Sequence, residues 1–240
     1  MDHTLIKKIL LSGKITLHGQ FLRGSNYTFL ARAESNEDQI EAVYKPARGE
    51  QPLWDFPASS LGKREAAAYE VCQYLGWDLI PPTVYRTKGL PLGAGSLQLF
   101  FHHDPQIHYF SLVESERPKL LQVCIFDCLV NNADRKGGHV LQDEDGHLWC
   151  IDQGLCFNEE DKLRTVIWDF AGQLIPGNLL TDISRLEQAL ERNTELTDIL
   201  QDLLIPAEIG ALRLRCLRMV SDPRLPIYDQ SRRMVPYPPL

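Results

Sequence analysis

A change of period near residue 103 constrains this 240-residue chain more than any other feature. Before it, β-branched and aromatic residues fall in short runs between turn residues; beyond it, apolar residues recur at the three-and-four spacing of amphipathic helices. Residues 14–22, 27–33 and 40–45 read as an antiparallel meander, broken by Arg23-Gly24-Ser25-Asn26 and by Glu34-Ser35-Asn36-Glu37-Asp38. Thr83–Arg86 and Ser96–Phe101 read as further strands of the same sheet. Two helices accompany it. Residues 4–12 place Leu5, Ile6, Ile9 and Leu10 on one face, and residues 61–75 are rich in strong helix formers and stop at Gly76. Ser59 or Ser60 stands where the second helix needs a cap, after a loop from 46 to 60 that holds Pro46, Pro52, Pro57, Trp54 and Phe56.

Past the change, residues 115–130 turn Leu120, Leu121, Cys124, Ile125, Cys128 and Leu129 inward, and 162–172, 179–192, 195–204 and 206–220 also read as helices. Residues 140–142 and 148–151 read as two short strands joined by Asp143-Glu144-Asp145-Gly146. The expected organisation is a strand-rich lobe at 1–103, a helical lobe at 104–221 and a proline-rich tail at 222–240 that runs extended over the surface. This is an α+β, bilobal plan of the protein-kinase type, with a cleft for a nucleotide between the lobes.

Composition narrows the functions. A formal charge of -7 and a pI near 5.5, with no long basic run, argue against a nucleic-acid binder. No apolar run approaches the roughly 18–20 residues needed to cross a bilayer. The start, Met1-Asp2-His3-Thr4, lacks the pattern of a signal peptide, so the expected location is the cytoplasm, with membrane-surface contact left open. The cysteines at 72, 124, 128, 150, 156 and 216 form no Cys-x-x-Cys pair and mostly sit in apolar segments, which speaks against disulfides and structural zinc.

The chemistry concentrates in Asn131-Asn132-Ala133-Asp134-Arg135-Lys136-Gly137-Gly138-His139 and in Ile151-Asp152-Gln153-Gly154. Two aspartates on loops that leave apolar segments suit phosphoryl transfer, which needs one carboxylate for the acceptor and another for a metal. Asp134 is the candidate to position a hydroxyl and take its proton. Asp152 is the candidate metal ligand, a hard oxygen donor of the sort Mg²⁺ prefers. Lys45, at the end of Glu41-Ala42-Val43-Tyr44-Lys45, offers a cation at the cleft edge, and Glu65 on the following helix is the first choice to hold it, with Glu70 second. Ser25 and Asn26, in the first turn, are candidates to meet phosphates through exposed backbone N–H groups. Neither Gly-x-Gly-x-x-Gly nor Gly-x-x-x-x-Gly-Lys-Ser/Thr is present.

As an ordered set these residues resemble the phosphatidylinositol 3-/4-kinase-like branch of the kinase superfamily, above all an uncharacterised bacterial family. The matching pieces are Gly24-Ser25-Asn26-Tyr27-Thr28-Phe29, Val43-Tyr44-Lys45-Pro46, Pro52-Leu53-Trp54-Asp55-Phe56-Pro57, Arg64-Glu65-Ala66-Ala67-Ala68-Tyr69, Gly76-Trp77, Pro81-Pro82-Thr83, Gly95-Ser96-Leu97-Gln98-Leu99-Phe100 and the two aspartate loops. Similarity to type II phosphatidylinositol 4-kinases implies that Glu65 pairs with Lys45, Asp134 is the catalytic aspartate and Asp152 binds metal. It also implies that Gln98, Leu99, Phe100 and Phe101 lead into the hinge, where backbone groups meet adenine. The related lipid kinases carry Asn five residues after the catalytic Asp, where this chain has His139. Imidazole suits Mn²⁺ or Zn²⁺ better than Mg²⁺, so the second metal position is altered.

The expected function is an ATP-dependent phosphotransferase using Mg²⁺ or Mn²⁺, with a lipid, protein or small molecule as hydroxyl acceptor. Two other readings stay open: a kinase fold that transfers AMP, and a pseudokinase that senses nucleotide without turnover.

Overall fold

Alternating inward residues build the first sheet of the computed structural model, which describes residues 2–22, 26–35, 38–112, 116–192 and 194–240. Strands β1 (Lys14–Phe21), β2 (Thr28–Ser35), β3 (Asp38–Pro46), β4 (Thr83–Arg86) and β5 (Gly95–Leu99) lie in the order β1-β2-β3-β5-β4, and every neighbouring pair is antiparallel. Ala31 and Ala33 of β2 and Ala42 and Tyr44 of β3 face one way. Helix α1 (His3–Ser12) covers that face with Ile6, Ile9 and Leu10. Strands β2 and β3 reach into the turn expected over 34–38, because Glu34 pairs with Gln39 and Ser35 with Asp38 as strand residues; residues 36 and 37 lie outside the described residues.

Helix α2 (Leu61–Leu75) occupies the span expected of it, and Gly76 ends it at φ 73°, the left-handed conformation that glycine adopts without a Cβ clash. Its start differs from the expected serine cap. The Ser60 hydroxyl donates to the Pro57 carbonyl at 2.6 Å, while the Glu50 carboxylate accepts the Gly62 N–H at 3.1 Å and so serves the helix terminus. Buried on most of its surface, α2 packs against β4 and β5 on one side and shares the main core with the helical part through Ala67, Ala68, Val71, Cys72 and Leu75. Small alanines let it fit there.

The rest is mainly helical. Helices α3 (Arg117–Val130), α4 (Gly177–Glu191), α5 (Glu195–Leu203) and α6 (Pro206–Ser221) enclose Val123, Phe126, Leu129, Ile183, Leu186, Leu200 and Leu212. A three-stranded sheet of β6 (His103–His108), β7 (Val140–Asp143) and β8 (Leu148–Cys150) lies against them, and β6 had no counterpart in the sequence reading. Among the described residues, no helix is long and apolar enough to cross a membrane.

Two further expectations are corrected. Residues 162–172 form no helix, because their backbone donors are claimed from outside the segment: Arg164 N–H by Asn132 (2.9 Å), Thr165 N–H by Met234 (3.0 Å) and Val166 N–H by Arg135 (3.1 Å). The tail does more than run over the surface. Leu225, Met234 and Pro236 are buried, and the Gly137 N–H donates to the Pro239 carbonyl at 2.8 Å.

Phe126 is fully buried and meets Trp77 edge-on at 6.3 Å between ring centres. Replacing Phe126 by Ala should cost about 3–5 kcal/mol, read as a lower midpoint in urea unfolding with little change in slope.

Candidate functional site

Lys45 sits at the end of β3, in register with Ser96 of β5. Its ammonium contacts the Glu65 carboxylate on α2 and donates to Asp152 Oδ1 at 2.9 Å. The other Glu65 oxygen accepts the Ser96 hydroxyl at 2.7 Å, so both oxygens are committed. Gly62 eases this approach, since a Cβ there would lie 3.1 Å from the Ser96 backbone nitrogen, a tighter contact than most side chains make. Burial alone would pull the Lys45 pKa down, but Asp152 and Glu65 more than offset it and hold the ammonium charged. Glu65 is pushed up by its own burial, against the opposing pull of Lys45. Glu70 is the partner of Lys7 at 2.6 Å, which leaves Glu65 as the residue that holds Lys45.

Asp152 follows β8 at φ 62°, a left-handed conformation that an aspartate tolerates better than a branched residue and that recurs at functional sites. The Lys45 ammonium, outweighing burial, keeps its carboxylate well below the usual range. His139 Nε2 lies 3.4 Å from Asp152 Oδ2, and His139 Nδ1 faces the Lys136 N–H at 3.5 Å. Burial holds the imidazole neutral by lowering its pKa to about 4, against the pull of Asp152. With Nδ1 turned toward an N–H, the ring proton belongs on Nε2, facing the carboxylate. The imidazole therefore lies beside the Asp152 carboxylate as a neutral neighbour. Binding a metal through Nε2 requires the other tautomer.

The loop carrying Asp134 is fixed by the residues around it. Asn131 ends α3 at φ 56°, and its side chain binds the carbonyls of Asn158 and Glu160 and the N–H of Lys162. Asn132 receives the Asp134 N–H on its side-chain oxygen at 3.0 Å and donates to Asp127 Oδ1 at 3.0 Å. Arg135 turns away from the cleft into a fully buried pair with Asp127, and its remaining nitrogen donates to the carbonyls of His139 (3.3 Å) and Ile151 (3.0 Å). The Asp134 carboxylate remains half-open, 3.3 Å from Lys136 Nζ. Burial raises its pKa and Lys136 partly offsets the shift, which makes it a better proton acceptor than a solvated aspartate.

One cleft therefore brings together Lys45, Glu65, Asp134 and Asp152, with Asn26 and Glu50 at its wall. Asn26 accepts the Gln51 N–H at 2.8 Å, which ties the first turn to the loop before α2; Ser25 lies outside the described residues. The strand residues fall elsewhere. Gln98 is buried with its amide on the Thr83 hydroxyl at 2.8 Å, and the N–H groups of Leu99 and Phe100 are spent on the carbonyls of Pro82 and Glu41. Phe101 lies beyond them, with its ring 6.0 Å from that of Trp149. Sequence reasoning missed Asn132, Arg135, Asp127 and Lys136 as parts of the site. For Asn132, Arg135 and Lys136 the signal was their place beside Asp134, and for Asp127 it was a single aspartate within the apolar run of α3.

Among the described residues, no group of three or more His, Cys, Asp or Glu stands close enough to hold a metal by itself. Asp152 nevertheless fits Mg²⁺ or Mn²⁺, which needs only one or two carboxylates when phosphate and water complete its shell.

The fold is kinase-like. A Golgi casein kinase structure aligns with a TM-score of 0.58 at 15% identity, over 91% of this chain and 73% of that one. A Golgi casein kinase with Mn/ADP bound aligns at 0.57 and 14%, over 99% and 80%. The proinflammatory kinase CtkA of Helicobacter pylori aligns at 0.56 and 12%, over 88% and 93%. No family model matches the chain. It belongs to the same family as Protein Rv2133c of Mycobacterium tuberculosis (strain ATCC 25618 / H37Rv), with 35% identity over 265 aligned positions, 96% of this chain and 94% of that protein.

Replacing Asp127 by Asn leaves the Arg135 guanidinium buried without its counter-charge. The expected cost is about 3–5 kcal/mol, measured by equilibrium unfolding. An unchanged midpoint would mean that the loop does not depend on this pair.

Proposed function

We propose that the protein is an ATP- and divalent-metal-dependent phosphotransferase acting on a hydroxyl acceptor. The observation that carries the reading is Lys45 held between Glu65 and Asp152, with Asp134 lining the same cleft. The Mn/ADP held by one structural neighbour supports a nucleotide and a divalent cation here.

Phosphoryl transfer asks little covalent chemistry of a protein, so the work is placement and neutralisation of charge. Lys45, kept charged and aimed by Glu65 and Ser96, meets the phosphate oxygens. Those oxygens compete with Asp152 for its ammonium, which frees the Asp152 carboxylate as the nucleotide arrives. Asp152 would hold Mg²⁺ or Mn²⁺ there, and the cation would supply further neutralisation of the phosphate charge. Asp134 orients the acceptor hydroxyl and takes its proton as the oxygen bonds to the γ-phosphorus of ATP, while the bond from that phosphorus to the bridging oxygen breaks and ADP leaves with the electron pair. Lys136, 3.3 Å from Asp134, offsets negative charge at the same place.

Asp152→Ala should abolish metal-dependent nucleotide binding, measured calorimetrically with ATP and Mn²⁺. Asp134→Ala should leave that binding largely intact and lower transfer about 100- to 10,000-fold. Label on product should come from the γ-phosphate of ATP; label from the α-phosphate would show AMP transfer instead. Equal nucleotide affinity with and without divalent metal would remove the role given to Asp152.

A further inference from the structure

Arg64 and Glu65 are neighbours on α2 and both are buried, at 1% and 3% exposed, yet they serve different parts of the molecule. Consecutive helix residues point roughly 100° apart, so a single turn can meet two partners. Glu65 reaches Lys45 and Ser96 in the strand-rich part. Arg64 reaches the Glu208 carboxylate in the first turn of α6, the Cys156 carbonyl in the segment after Asp152, and the Ser60 hydroxyl at 3.3 Å. The second Glu208 oxygen accepts the Ile205 N–H at 3.1 Å, and the Phe56 ring lies 4.8 Å from the guanidinium carbon. Arg64 thus joins α2, α6, the loop before α2 and the chain just past Asp152.

We infer that Arg64 and Glu208 are positioning residues for transfer: they hold the first turns of α2 against α6 and the Asp152 segment, so that Glu65 meets Lys45 at the phosphates. The inference rests on the phosphotransferase reading. Stability alone does not call for such a pair, since apolar residues of similar volume often replace a buried ion pair without loss. What apolar side chains lack is direction. A guanidinium with fixed acceptors sets both the rotation and the depth of the helix. Glu65, the next residue, inherits that setting.

The test is a cycle of four full-length proteins: wild type, Glu65→Gln, the double variant Arg64→Met/Glu208→Met, and the triple variant. The double variant removes both charges together and so strands neither. It should unfold near the wild-type midpoint while kcat falls about 10- to 100-fold, the effect of a small misplacement of a reacting group. In the Glu65→Gln background the same pair of changes should cause no further loss, because the clamp acts through Glu65. Should the double variant fail to fold, Arg64→Lys, which keeps the charge and loses the fork, carries the same cycle.

A full further loss in the Glu65→Gln background, or an unchanged kcat in the clamp variant, overturns the inference. The cycle is also read without turnover, as affinity for ATP with Mn²⁺. Non-additive affinities with no transfer by the wild type would keep the positioning role and remove the phosphotransferase reading. A wild type that binds no nucleotide would remove both.

Discussion

The ion pair between Asp127 and Arg135 is closed to solvent on both sides, and the site is arranged around it. Removing two charges from water is expensive, and the cost is offset only when the geometry is good and the remaining hydrogen-bonding capacity is met. Here it is met: Arg135 holds Asp127 through Nε and one terminal nitrogen, and spends the other on the carbonyls of His139 and Ile151. Those carbonyls lie at either edge of the small β7–β8 hairpin. One side chain therefore fixes the distance between the Asp134 loop and the start of the Asp152 loop. Asn132, bonded to the same Asp127 oxygen, passes the constraint to the Asp134 backbone.

The opposing wall is set by the same logic at lower burial. Lys45 is the cation between carboxylates delivered by α2 and by the Asp152 loop, so its position records where both elements lie. With Glu50, Glu65, Asp134 and Asp152 lining one cleft, the resting site is rich in negative charge. A polyphosphate alone would be repelled by such a wall. Under the proposed function, a divalent cation accompanying the polyphosphate would offset that charge.

Much of the fold was legible because period and punctuation agreed. The span 61–75 carried helix formers and a glycine stop, and it folds as α2 over those residues. The β-rich start and helical remainder come out as expected, and Lys45, Glu65, Asp134 and Asp152 converge. Periodicity misled at 162–172, where Leu163, Ile167 and Phe170 have helical spacing and are indeed buried. Their burial is real, but Asn132, Arg135 and Met234 supply the backbone partners that a helix would have found within itself. The pairs Asp127–Arg135 and Arg64–Glu208 were invisible for a related reason. Each looks like an ordinary charge in a sequence, and only tertiary proximity distinguishes a buried partner from a solvated one. The resemblance had Gln98 to Phe101 lead into a hinge whose backbone groups meet adenine; that the N–H groups of Leu99 and Phe100 bond to the carbonyls of Pro82 and Glu41 is likewise seen only in three dimensions.

The bonds from Thr165 to Met234 and from Gly137 to Pro239 also set an order of assembly. A chain emerges from the ribosome with its N-terminal part first, so Lys45, Glu65, Asp134 and Asp152 are all exposed to the folding environment well before residues 234–239 appear. Until then two backbone donors beneath the aspartate loops have only water as partner. Residues 234–239 therefore complete the backbone scaffold of the aspartate loops, and a nascent chain displays Lys45, Glu65, Asp134 and Asp152 before that scaffold is in place.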